Sequence, residues 1–490
     1  MPPLKYRDLP EPIAWTKMVG PSIMLAGLAL GSGEFILWPR IAYASGFVFF
    51  WAALLGMITQ FFVNMEIERW TLATGESALA GFSRLSWHWS WIFLILNIVP
   101  WAWPGWGTGA AQMGSWLIFG PVETIADGHT NYGAYYVQPL AIALLLLCGV
   151  VLTSGPVVYN TVERMQTFLV GLILVLVAII AVATVRWDAF AALFNQLWRV
   201  GGLPDPIATG LPMVDLLGAV AFAGAGGSLN LGQSNYIMDK GYGMGQYIGR
   251  ITSPLTGKEE PIPETGFHFR HTPENMRRWH GWWRAANIEH FISFLVTCIV
   301  TLFLLSLITY SLLYNEHGQL NESAKNLGGG MNFVWVQAQM LGERPFGAFL
   351  KTAYLLAGVA ILFTTELGVL DAGSRISADI VKTNFLRTNE RWSIGRLYFV
   401  FLWAEIALGS TILILFTKEP LLQLRIAAAM NGAVMFLFSL TLLYMNNKIL
   451  SRRLSMSPLR FVMVVWSCGF YGYFTIQAVR LSLLPLLFGK

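Results

Sequence analysis

Along this chain, apolar runs of about 20 residues alternate with short polar stretches, the length an α-helix needs to cross about 30 Å of hydrocarbon. Eleven such runs are read, at 17–40, 47–69, 90–118, 138–154, 162–185, 212–237, 286–312, 347–380, 395–416, 421–445 and 460–486. The fourth is short, and the eighth is long enough to end in a turn or two beyond the lipid. The pattern predicts an all-α membrane protein. Two runs are interrupted by glycine clusters: LALGSGEFILWP over Leu28–Pro39, and FAGAGGSLN over Phe222–Asn230. A helix broken inside a bilayer leaves amides and carbonyls unpaired, which is tolerated only where they are buried in protein or line a cavity. Two such breaks in separate spans point to a solute site near mid-membrane, and so to a transporter more than an enzyme.

The residues around the breaks sharpen this. Glycines in a membrane helix commonly serve close helix packing. Glu34 argues for more, because a carboxylate inside a span is costly and marks function by default. Pro39 removes a further helical hydrogen bond. After the second cluster, Asn230, Gln233 and Ser234 fall at i, i+3 and i+4, one face of a helix. The candidate binding residues are therefore Gly31, Ser32, Gly33 and Glu34 in the first break. In and after the second they are Ala223, Gly226, Gly227, Ser228, Asn230 and Gln233. Glu34 is the expected charged ligand. Asn97, Gln112, Thr364, Thr365, Glu405 and Asn431 read as interhelical hydrogen-bonding groups. Glu366 and Asp371 on the eighth run are candidates for ion coupling. Glu66, Glu68 and Arg69 close the second run, and Glu289 and His290 open the seventh; both sets read as interfacial charge.

Composition agrees: the 490 residues are 55% hydrophobic and 12% charged, against about 25% charged in soluble domains. The net charge of +5 reads as basic cytoplasmic loops, not as a nucleic-acid surface. Lys and Arg gather on one side when the N-terminus is placed inside, so the N-terminus is expected in the cytoplasm and the C-terminus outside, in the plasma (inner) membrane. Cys148, Cys298 and Cys468 are far apart and imply no disulfide framework. No signal-peptide pattern is read at the N-terminus, and no GxxxxGK[ST] loop is present for nucleotide binding. The long cytoplasmic loop 239–283 carries His268, His271 and His280, read as a solvated loop before a metal site, and Trp279, Trp282 and Trp283, read as an interfacial anchor. The outer loop over 314–344 carries no assigned role.

Several segments together resemble the Nramp family of metal-ion transporters. The second run ends in ERWTLATGESALAGF, the fifth opens with VERMQTFLVGLI, the eighth reads LAGVAILFTTELGVLDAGSRISADIV, and the tenth ends in LYMNNKILSRRL. The resemblance implies the LeuT-type fold: two inverted five-helix repeats, here about 17–185 and 212–445, plus an extra helix at about 460–486, with helices 1 and 6 unwound. It also exposes departures. Where the family carries Asp-Pro-Gly-Asn, this chain has Gly31, Ser32, Gly33 and Glu34. Where the family has a metal-binding Met, it has Gly226, followed by Gly227 and Ser228, with Ala223 at the position of a backbone carbonyl ligand. Thioether sulfur favours transition metals, so selectivity for manganese or iron is not implied. The family's third-helix acids are missing from NIVPWAWPGWGTGAAQMG. GSGEF followed by Pro is also similar to the amino-acid and polyamine transporter superfamily, whose freed amides suit a substrate carboxylate.

The reading is a secondary active transporter of a small cation, with an oxygen-rich shell suited to a hard, partly hydrated divalent ion. An amino acid, amine or other organic solute is the alternative cargo, and a non-transporting receptor on the same scaffold is a second alternative. The expected partners are the bilayer and a small ion or molecule, with no cofactor beyond a transported or coupling cation and no nucleic acid. The oligomeric state is left open.

Overall fold

The computed structural model describes residues 1–14, 18, 20–126, 128–253, 256–258, 260, 262–263 and 265–484, without the side chains of Ser32, Ser482 and Leu483. The expected limits at 17 and 486 lie outside this set. Among the described residues, nine helices are long and apolar enough to cross a membrane: Pro21–Ser45, Phe50–Thr74, Val137–Ser154, Val158–Thr184, Pro273–Leu313, Gly347–Asn384, Ile394–Leu415, Pro420–Lys448 and Pro458–Leu481. The third and sixth of the eleven expected spans are split into half-helices. These are His88–Trp101 with Gly105–Phe119, and Met213–Ala221 with Leu229–Lys240.

The two glycine clusters behave differently, and backbone angles say why. In the sixth span Gly224, Gly226 and Gly227 take φ of +133°, +77° and +58°, conformations that a right-handed helix cannot pass through. The chain opens from Phe222 to Ser228 as expected. The expectation that the first helix is unwound is corrected. Leu30–Leu37 is a π-helix continuous with Pro21–Ala29 and Trp38–Ser45, and the Trp38 amide donates to the Gly33 carbonyl five residues back. No residue in that turn takes a positive φ. Widening the helix keeps its amides paired internally, where unwinding would free them.

The third-span break was not anticipated. Pro104 caps the second half-helix, and Pro100 lies inside the first; each lacks the amide that a continuous helix needs. The loop expected over 239–283 is also shorter, because Pro273 already begins the helix that becomes the seventh span. Its N-cap is Thr272, whose hydroxyl accepts from the Asn275 amide. The loop is tied to the N-terminus. Lys5–Tyr6 pairs in parallel with Phe267–His268, and Trp282 Nε1 donates to the Pro10 carbonyl at 2.9 Å. The N-terminal segment and this loop therefore lie on one side of the bundle. Between the third and fourth spans an antiparallel hairpin, Pro121–Ala126 with His129–Ala134, covers the other end. The short helix Trp187–Leu197 follows the fifth span, with Trp187 and Phe194 exposed, as an interfacial helix would place them.

Candidate site at the helix breaks

Glycine lets the first and sixth spans meet backbone to backbone. A Cβ on Gly33 would lie 1.6 Å from the Phe222 carbonyl oxygen, so only glycine permits this approach. Gly31 faces elsewhere: its Cβ would lie 2.1 Å from Thr365 Oγ1 on the eighth span. The third-span break closes on the same point. Trp101 stacks on Phe222 with ring centroids 5.9 Å apart, and the Trp106 ring lies 6.0 Å from it. Interruptions in three spans thus converge on Phe222.

The polar groups freed at the sixth break are satisfied by side chains from neighbouring spans. Gln60 Nε2 donates to the carbonyls of Ala221 at 2.8 Å and Ala223 at 3.0 Å. Its Oε1 accepts from the Gly226 amide at 3.5 Å and from Asn230 Nδ2 at 3.4 Å. Ser228 donates its hydroxyl to Asn97 Oδ1 at 2.8 Å and accepts from Trp101 Nε1 at 2.7 Å. The Ser228 amide donates to Asn431 Oδ1 at 3.3 Å, and a Cβ on Gly227 would strike that same oxygen at 1.8 Å. Gln60 drew no notice in the sequence. A polar residue in mid-span is a signal, but nothing marks which break it serves. Asn97 and Asn431 are interhelical hydrogen-bonding groups, as expected of them.

The single oxygen-rich shell expected around Glu34 is not assembled in this arrangement. Glu34 is fully buried and turned toward the seventh span, where it accepts from the Thr301 hydroxyl beside the Cys298 thiol. Among the described residues its Oε1 has no hydrogen-bond partner. Ser228 faces Asn97 and Trp101, and Gln233 points away from the break toward Glu68 and Ser22, at 3.0 and 3.4 Å. Gly33 is the residue that faces Phe222, and Glu34, the next residue round the helix, therefore points off the sixth span. Ser234 bonds back to the Leu231 carbonyl at 2.5 Å. The Ser32 side chain lies outside the described residues.

The coupling candidates are both engaged. Asp371 accepts from Arg375 Nε at 2.8 Å and from the Tyr398 hydroxyl at 2.8 Å. Arg375 also pairs with Asp239 on the sixth span. Glu366 accepts from the Gly107 amide at 2.8 Å, in the first turn of a half-helix where free amides favour an anion. Beyond this network a cavity of ≈ 830 Å³ opens on the side of the N-terminus, lined among others by Asn235, Asp239, Arg250, Glu260 and Asp379.

By sequence, no family model and no curated protein matches this chain. By structure it is similar to crystal structures of the manganese transporter of Eremococcus coleocola. These include a histidine-to-alanine mutant, a glutamate-to-glutamine mutant and a complex with an aromatic bis-isothiourea substituted compound. Each matches with a TM-score of 0.63 at 13% identity, over 99% of this chain and 91% of that one. At that identity the likeness is one of fold. The chain is thus an integral membrane protein with the Nramp/LeuT-type transporter fold, as its segments led one to expect.

Proposed function

We propose that this protein is a secondary active transporter that moves a small cation by alternating access. The observation that carries the reading is the Gly33–Phe222 contact, where a broken sixth helix is held against a distorted first helix in a chain with the fold of a manganese transporter. Transport needs a break whose polar groups can exchange partners, and here side chains of three other spans hold them. Glu34, with one oxygen unpartnered among the described residues, is the charged ligand of this reading. Alternating access would bring Glu34 and the carbonyls near Gly31 and Ala223 to one ion. Residues 17–185 and 212–445 are the two repeats, and the ≈ 830 Å³ cavity is the cytoplasmic vestibule in the plasma membrane.

The cargo is a hard divalent ion, because the set offers oxygen and no thioether. A second reading, an organic ammonium, is favoured by the aromatic wall of Trp101, Trp106 and Phe222, since ring faces attract cations. Thermal stabilisation of the purified protein separates them. A gain with magnesium or calcium that is lost in Glu34→Gln supports the metal. A gain with amines alone supports the second reading.

A further inference from the structure

Away from the helix breaks, Glu68, Glu289 and His290 each offer a ligand atom, and these atoms lie within 4.8 Å of one another in the buried interior. They come from the second and seventh spans, and Ser22 at the start of the first span adjoins them. Ser22 lies twelve residues before Glu34, roughly 18 Å along the helix at 1.5 Å per residue. The sequence reads these acids as interfacial charge. The structure corrects that: relative exposures are 1%, 4% and 0% for Glu68, Glu289 and His290.

The hydrogen bonds around the cluster leave one set of lone pairs free. Ser22 Oγ donates to Glu289 Oε2, so the His290 Nδ1–H donates to Ser22 Oγ, at 2.8 Å. With Glu289 ionised, this sets the tautomer and leaves His290 Nε2 as an unprotonated acceptor, and that atom has no partner among the described residues. Gln233 Nε2 donates to Glu68 Oε1 at 3.0 Å, which orients Glu68 and leaves its Oε2 without a partner. Glu289 is held by the Ser293 side chain and the backbone of Gly20 and Ser22, and among the described residues Glu289 Oε1 and Gln233 Oε1 have no close hydrogen-bond partner. The imidazole is held by stacking on Phe61 at 5.6 Å and Phe294 at 4.8 Å. A π-turn, Phe291–Val296, begins at the next residue.

Four buried atoms with free lone pairs need a partner. Two buried carboxyl groups each need either a proton or a positive charge beside them, and among the described residues neither forms an ion pair with Lys or Arg. The nearby cations are committed to Glu66: Arg69 at 2.7 Å, and Arg460 at 3.4 Å, which also pairs with Asn287.

We propose that Glu68, Glu289 and His290, oriented by Gln233 and Ser22, form a binding site for one divalent transition-metal ion, separate from Glu34. Imidazole nitrogen with two carboxylate oxygens suits zinc, cobalt, manganese or iron better than magnesium or calcium. An imidazole whose second nitrogen is held by a hydrogen bond is the usual arrangement of a ligating histidine. Two carboxylates neutralise a divalent charge. The inference stands whether or not the protein transports.

The test uses the purified full chain with cobalt(II) or zinc(II) alone, read by calorimetry, by metal content after desalting, and by the visible d–d absorption of cobalt. One equivalent is expected to bind, with an imidazole-containing spectrum. Ser22→Ala is expected to weaken binding roughly 10- to 100-fold, as loss of an outer partner does, and His290→Gln and Glu289→Gln by more than that. His317→Gln, at an exposed histidine in the outer loop, is expected to bind as the parent does. Glu289→Gln removes a buried charge, so it is expected to remain folded, to melt no lower than the metal-free parent, and to lose the melting-temperature gain that zinc gives. No metal bound by the parent overturns the proposal. So does unchanged affinity in both His290→Gln and Glu289→Gln, or a site lost in His317→Gln and kept in His290→Gln.

Discussion

Gly33 lies so close to Phe222 that a Cβ at position 33 would sit 1.6 Å from the Phe222 carbonyl oxygen. The obstacle is backbone, so no rotamer change relieves it. Gly33→Ala is expected to push the first and sixth spans apart, at a cost of about 1–3 kcal/mol for overpacking, and to lower the melting temperature. Gly171→Ala, which meets nothing within 4 Å, is the control and is expected to melt with the parent. Equal melting temperatures for both variants would show that the contact is not tight.

Gln60 is expected to hold the sixth break closed. Gln60→Leu strands the carbonyls of Ala221 and Ala223, and a buried group left unpaired costs about 1–3 kcal/mol. The variant is expected to lose on the order of 3 kcal/mol in denaturant unfolding. Its amide exchange is expected to rise first at Phe222–Ser228. A loss spread evenly over the bundle would argue against this local role.

How much of this was legible in the sequence depends on which physical signal each feature leaves. Span lengths follow from bilayer thickness, so the eleven crossings were readable. The opening of the sixth span was readable because three glycines crowd one turn. The first span has only alternating glycines, and composition does not distinguish a π-turn from an unwound one. The third-span break had a signal in Pro100 and Pro104, overshadowed by the glycine clusters. Glu68 and His290 sit near span ends, where charge is ordinarily solvated. Their burial comes from neighbours on other spans, Ser22 and Phe61 against His290 and Gln233 against Glu68, long-range contacts that local pattern does not encode.

Arg375 joins the sixth and eighth spans through Asp239 and Asp371. Arg375→Met leaves two buried carboxylates unmatched, and breaking such a pair costs roughly 3–5 kcal/mol. Adding Asp371→Asn is expected to restore part of that loss, because one stranded charge is removed. A double variant less stable than Arg375→Met would contradict the pairing.

His268 in the strand paired with the N-terminus titrates below the ordinary histidine range, first because burial disfavours its charged form and then because His271 lies near. A histidine whose folded pKa is depressed stabilises the fold above its unfolded value, about 6.5, and that stability is lost as pH falls below it. Hydrogen-exchange protection of the Arg7 amide, which donates to the His268 carbonyl at 2.9 Å, is expected to fall between pH 7 and 5. In His268→Gln it is expected to hold steady. An equal fall in both would assign the effect elsewhere.

The proposed cation transport runs through Glu34, whose buried Oε1 has no partner among the described residues. Its most direct test is uptake of magnesium, calcium and manganese into proteoliposomes by the parent chain and by Glu34→Gln, which keeps shape and removes a buried charge, with equal reconstitution verified. Saturable uptake of at least one of these ions is expected of the parent, with a loss of at least about tenfold, 1.4 kcal/mol, in the variant. Uptake no greater than in protein-free vesicles for every ion, or equal uptake by the two proteins, would contradict it.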